Sequence, residues 1–86
     1  MPRVLHAKRD QVPIGAVYIG RPSKWGNPFR IGKDGTRREV IGRYRDYVLS
    51  TPELYHNLEA LRGKDLVCWC APDMCHGDVL LELANQ

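Results

Sequence analysis

Asp65-Leu66-Val67-Cys68-Trp69-Cys70-Ala71-Pro72-Asp73-Met74-Cys75-His76-Gly77-Asp78-Val79-Leu80-Leu81-Glu82-Leu83 decides the fold of this chain. The apolar run Asp65 to Cys70 follows the polar break Gly63-Lys64-Asp65 and reads as an interior strand. Ala71-Pro72-Asp73 interrupts it. Val79, Leu80 and Leu83 then recur at helical spacing, so a helix follows the turn, with Cys75 and His76 in or just before its first turn. A strand that is apolar on both faces needs cover on both, which points to an α/β domain with a mostly parallel sheet. Side chains alternate along a strand, so Cys68 and Cys70 share one face and Trp69 takes the other.

Upstream of this stretch, Thr51-Pro52-Glu53 supplies a cap residue followed by proline at a first helical position, and Leu54, Leu58 and Leu61 lie on one side until Gly63. Before it, Thr36 and Glu39 form a capping-box pattern ahead of Val40, Ile41, Tyr44, Tyr47 and Val48, predicting a helix from about Arg37 to Leu49. Gly20 to Gly35 is rich in glycine and proline and reads as a long loop, a feature that in a small domain is usually functional. Ala16-Val17-Tyr18-Ile19, between Gly15 and Gly20, reads as a buried strand, and Arg3 to Lys8 as another. The expected order is β-β-α-α-β-α, with a short sheet flanked by about three helices in two or three layers.

The chain has 86 residues, 43% hydrophobic and 27% charged. A chain of that length buries roughly 60–65% of its unfolded surface, enough for one modest core, so a single domain spanning residues 1–86 is expected. The composition is that of an ordinary globular protein, neither disordered nor fibrous. Three cysteines within eight residues cannot make a disulfide framework across the chain, leaving metal binding, catalysis or burial to explain them. The start Met1-Pro2-Arg3 lacks an apolar run and no stretch approaches the roughly 18–20 apolar residues of a membrane span, so a cytoplasmic protein without membrane contact is expected. The net charge of +3 is compatible with polyanions but small enough to serve solubility alone.

The Cys/His turn supports three readings. A helix N-terminus offers unpaired N–H groups and partial positive charge, which favour a Cys75 thiolate and cradle an anion. Open α/β sheets bind ligands at this strand-to-helix position. In that reading Cys75 is the candidate nucleophile, with His76 or Asp78 for proton transfer, and Cys70 contacts the ligand. A zinc site from Cys68, Cys70, Cys75 and His76 is the second reading, although adjacent ligands at 75 and 76 strain a tetrahedral shell. The third is structural: Cys68 in the core, Cys70 in a tight turn, His76 bonding backbone.

A second candidate surface is Gly20-Arg21-Pro22-Ser23-Lys24-Trp25-Gly26-Asn27-Pro28-Phe29. Arg21 and Lys24 suit phosphate, Trp25 suits a base, and Ser23 and Asn27 add polar groups. The plain alternative has Trp25 and Phe29 closing the core edge with Arg21 and Lys24 solvated. Arg37, Arg38, Arg43 and Arg45 read as the solvated side of their helix, and Tyr44, Tyr47 and Tyr55 as core or interface residues. Spacing identifies no partner for His6 or His56.

Both motifs, Gly20 to Phe29 and Cys68-Trp69-Cys70-Ala71-Pro72-Asp73-Met74-Cys75-His76-Gly77-Asp78-Val79-Leu80, make the chain resemble a family of short phage and bacterial proteins, domain of unknown function 4326, over nearly its whole length. The Cys70–His76 turn is also similar to the Cys…Cys-His turn of domain of unknown function 488, which implies a strand-end pocket. The phage resemblance implies a setting of nucleic acid, nucleotides or host defence. The expected function is therefore binding of, or action on, a phosphate-bearing nucleotide or nucleic acid at the Cys/His turn. The alternative is a small zinc-stabilised or purely structural protein that binds or inhibits a host protein. So small a core also makes a homodimer worth testing.

Overall fold

The computed structural model describes residues 2–70 and 73–86, so the expected break at Ala71-Pro72 lies outside the described residues. Three strands, β1 (Val4–His6), β2 (Val17–Tyr18) and β3 (Leu66–Cys68), form a parallel sheet in the order β1-β3-β2. Helices α1 (Arg37–Ser50), α2 (Pro52–Tyr55) and α3 (His76–Ala84) accompany them, with a 3-10 turn at Leu58–Leu61. The α/β class and the element order agree with the sequence reading. The middle helix does not run continuously to Gly63: it breaks after Tyr55 and resumes as the 3-10 turn, which still buries Leu54, Leu58 and Leu61.

β3 is the interior strand, and all three of its residues are buried. Its register sets Leu66 between Val4 and Val17, and Val67 between Leu5 and Tyr18. Alternation then puts Leu66 and Cys68 on one face, where they join Tyr44 and Val48 of α1, the three leucines, and Val79, Leu80 and Ala84 of α3 in the core. Burying a leucine such as Leu80 contributes about 1.5–3 kcal/mol. α3 lies against β1 and β3 and also against α1.

Both long helices begin with reciprocal caps. Thr36 Oγ1 accepts the Glu39 N–H at 3.2 Å while the Glu39 carboxylate accepts the Thr36 N–H at 2.9 Å. The Thr36 N–H holds the Glu39 carboxyl below its ordinary range. At α3 the cap is a thiol: Cys75 Sγ accepts the Gly77 N–H at 3.4 Å, and Asp78 Oδ2 accepts the Cys75 N–H at 3.0 Å. Gly77 lets this helix start press on the sheet, since a Cβ there would stand 2.8 Å from Ile19 Cδ1 and 2.9 Å from Val4 Cγ2.

Candidate functional site

Parallel strands end on the same side, so the carboxyl ends of β2 and β3 and the start of α3 share one edge. A cavity of about 510 Å³ opens there, between the two sequence motifs. The 20–31 loop forms one wall through Arg21, Asn27, Phe29 and Arg30, and the Cys/His turn forms the other through Cys68, Trp69, Cys70, Cys75 and His76. Arg37 closes the side, its Nη1 donating to the Met74 carbonyl at 3.0 Å.

Of the expected ligand residues, Arg21, Asn27 and Cys70 line this cavity and Ser23, Lys24 and Trp25 do not. Arg21 braces its own loop, donating from Nε to the Asn27 carbonyl at 2.8 Å and from Nη2 to the Phe29 carbonyl at 3.1 Å. Asn27 Oδ1 accepts the Phe29 N–H at 2.9 Å. Trp25 is a correction: it is 4% exposed and packed in the core, its carbonyl accepting the Tyr44 hydroxyl at 2.7 Å. Lys24 stands over its ring at 5.3 Å, and Ser23 turns its hydroxyl inward. The indole beside the cavity is Trp69, 52% exposed, with Nε1 donating to the Tyr18 hydroxyl at 2.9 Å. That hydroxyl in turn donates to the Arg21 carbonyl, tying the two walls together.

Among the expected catalytic residues, Cys75 and His76 line the cavity, whereas Asp78 does not and serves as the capping carboxylate. The expectation of a favoured Cys75 thiolate is corrected as well. Cys75 is 2% exposed, and the Cys68 thiol at 3.0 Å together with burial pushes the Cys75 thiol well above its ordinary range, outweighing the Gly77 N–H. His76, also buried, places Nε2 at 2.8 Å from the Ile19 carbonyl and Nδ1 at 3.5 Å from Cys75 Sγ. A carbonyl only accepts, so Nε2 carries a proton, and in the neutral ring Nδ1 keeps its lone pair. Burial holds the imidazole pKa below its usual value, consistent with that neutral ring. Cys68, Cys70 and Cys75 are thiols whose sulfurs all lie within 4.8 Å of one another.

Arg30, Arg37, Tyr18 and Trp69 are site residues that the sequence reading did not select. Arg37 had a signal available: as the first residue of α1 it sits at the helix end, where a side chain reaches past the helix instead of along its solvated side. Tyr55, expected in the core or an interface, is 51% exposed.

A three-stranded parallel sheet, with a thiol-bearing turn at its carboxyl edge and an arginine-lined cavity above it, defines a small parallel α/β protein with a strand-end pocket. The chain belongs to the family described as Domain of unknown function (DUF4326), whose sequence profile matches residues 3–86. It is 34% identical over 99 residues to an uncharacterized protein of Acanthamoeba polyphaga mimivirus, the match covering 94% of this chain and 75% of the relative. It is also 37% identical over 75 residues to an uncharacterized 12.4 kDa protein in the nrdA-td intergenic region of Enterobacteria phage T4, covering 81% and 68% respectively. No solved structure matches the chain. Among the described residues, no helix is long and apolar enough to cross a membrane.

Proposed function

We propose that the strand-end cavity binds a phosphate-bearing nucleotide, free or as a unit of a nucleic acid. The observation that carries this reading is the lining. Arg21, Arg30 and Arg37 surround the cavity, and among the described lining residues there is no aspartate or glutamate. Guanidinium groups pair with phosphate oxygens in a planar fork, and three of them around a lining without carboxylates attract a polyanion. Tyr18, Phe29 and Trp69 supply aromatic surface for a base. The volume, about 510 Å³, falls in the ordinary range of small-molecule sites, roughly 300–1,000 Å³. We place the protein in the cytoplasm, a setting in which three clustered thiols stay reduced.

The test is calorimetric titration with nucleoside 5′-monophosphates, the parent nucleosides and a short single-stranded oligonucleotide, each at two salt concentrations. Phosphate-bearing ligands are expected to bind, more weakly at high salt, and Arg37→Ala to weaken them about 10-fold or more, as loss of a charge-assisted hydrogen bond of about 1.5–3 kcal/mol implies. Nucleosides binding as well as their monophosphates, or no binding of any phosphate-bearing ligand, would overturn the proposal.

A further inference from the structure

The cysteine cluster carries an inference independent of what the cavity binds. We propose that Cys68, Cys70, Cys75 and the Nδ1 atom of His76 form a zinc(II) site, with three thiolates and one imidazole in a tetrahedral shell.

Three geometric features support it. Zinc–sulfur bonds of about 2.3 Å in a tetrahedron place sulfurs about 3.8 Å apart. The three sulfurs already lie within 4.8 Å of one another, the Cys68–Cys75 pair at 3.0 Å, so shifts of an ångström or less bring them to that spacing. Next, two of the sulfurs already accept backbone N–H groups, Cys68 from Cys70 and Cys75 from Gly77, both at 3.4 Å. Such bonds favour a thiolate over a thiol and orient its remaining lone pairs toward a cation. The third feature is the locked tautomer of His76, whose Nδ1 stands beside Cys75 Sγ but outside the 4.8 Å sulfur cluster, so it joins the shell as the turn closes on the metal. A ring nitrogen that binds metal is accompanied by a second nitrogen donating to a carbonyl or carboxylate, and Nε2 donates to Ile19 in that way while Nδ1 stands 3.5 Å from Cys75 Sγ.

The adjacency of Cys75 and His76 is accommodated by the backbone. Cys75 is the extended N-cap and His76 the first helical residue, so the two side chains leave a bend and not a straight segment. Binding exchanges protons for metal: one zinc(II) displaces the three thiol protons to solvent, and a neutral His76 ring, which offers Nδ1 as a lone pair, releases none. The resulting charge of the site is −1, and Arg21, across the cavity, and Arg37, at its side, are the compensating cations.

The experiment uses the full chain, purified in a phosphine reductant, stripped with a chelator and titrated with zinc(II) or cobalt(II) without any nucleotide present. One metal per chain is expected. Cobalt should give an intense sulfur-to-metal absorption band and the strong visible bands of a tetrahedral ion, and zinc should raise the thermal midpoint. Cys70→Ser changes the least buried of the three cysteines, so the fold should persist. It is expected to weaken zinc binding at least 100-fold and reduce the cobalt charge-transfer intensity by about a third, while the far-ultraviolet circular dichroism stays as in the parent. Zinc bound substoichiometrically by folded, reduced protein would overturn the proposal. So would an octahedral cobalt spectrum, or unchanged affinity in Cys70→Ser. Cys68 and Cys75 forming a disulfide in place of binding metal under the same reductant would do so too. Nucleotide binding plays no part in these readouts, so this proposal and the preceding one fail separately.

Discussion

Gly77→Ala tests how the site is held, because it adds one methyl where α3 presses on the sheet. The new Cβ would meet Ile19 Cδ1 at 2.8 Å and the two γ carbons of Val4 at 2.9 and 3.2 Å. The isoleucine tip can rotate away. Val4 cannot, because both γ carbons are branched from one Cβ and turning one aside brings the other forward. Replacing glycine by alanine within a helix gains at most about 0.8–1.0 kcal/mol, less in a first turn, while overpacking a close contact costs about 1–3 kcal/mol. The balance is a destabilisation of about 0.5–2 kcal/mol. At about 4–8 °C per kcal/mol for a domain of this size, Tm should fall by several degrees in a calorimetric scan. Val4→Ala removes both γ carbons, so in the double variant the added methyl should cost at least about 0.5 kcal/mol less than it does alone. A Gly77→Ala protein as stable as its parent, or a cycle with no coupling to Val4, would refute the claim that α3 sits this close to β1.

Two further perturbations address the caps and the buried phenol. Thr36→Ala should cost about 1 kcal/mol in urea unfolding. Because the Thr36 N–H depresses the Glu39 pKa, that carboxylate's contribution is present above the unfolded-state pKa and disappears as pH falls through the folded one, and Glu39→Gln should flatten the acid limb of the stability profile. Tyr44→Phe removes the donor to the buried Trp25 carbonyl and should cost about 1–3 kcal/mol. Burial also pushes the Tyr44 phenol above its ordinary value, so above about pH 10 the unfolded chain loses this proton while the folded chain keeps it. Stability then falls with rising pH, and urea midpoints between pH 9 and 11 should show a shallower decline in Tyr44→Phe than in the parent.

Much of the architecture was legible because its signals are local. The capping pair Thr36 and Glu39, proline at the start of α2 and the apolar run Asp65 to Cys70 each act within a few residues; α1 and α2 formed where those signals stand, and the strand formed over Leu66–Cys68, two residues short of the expected end. The continuous second helix failed for a physical reason as well. Three leucines at helical spacing require only that one side be buried, and a helical turn followed by a 3-10 turn buries them equally.

From the sequence alone came the β-β-α-α-β-α order, a buried central strand and the gathering of Cys/His chemistry at one turn, since capping, alternation and turn formation are settled between near neighbours. Only the tertiary structure decided which side chains face the cavity. It drew Trp25 into the core and left Trp69 at the pocket, brought Arg37 to Met74, and bound His76 to the carbonyl of Ile19, a partner 57 residues away. Those choices follow from how helices and loops stack on the sheet, where a residue's surroundings come from distant segments and no local pattern encodes them.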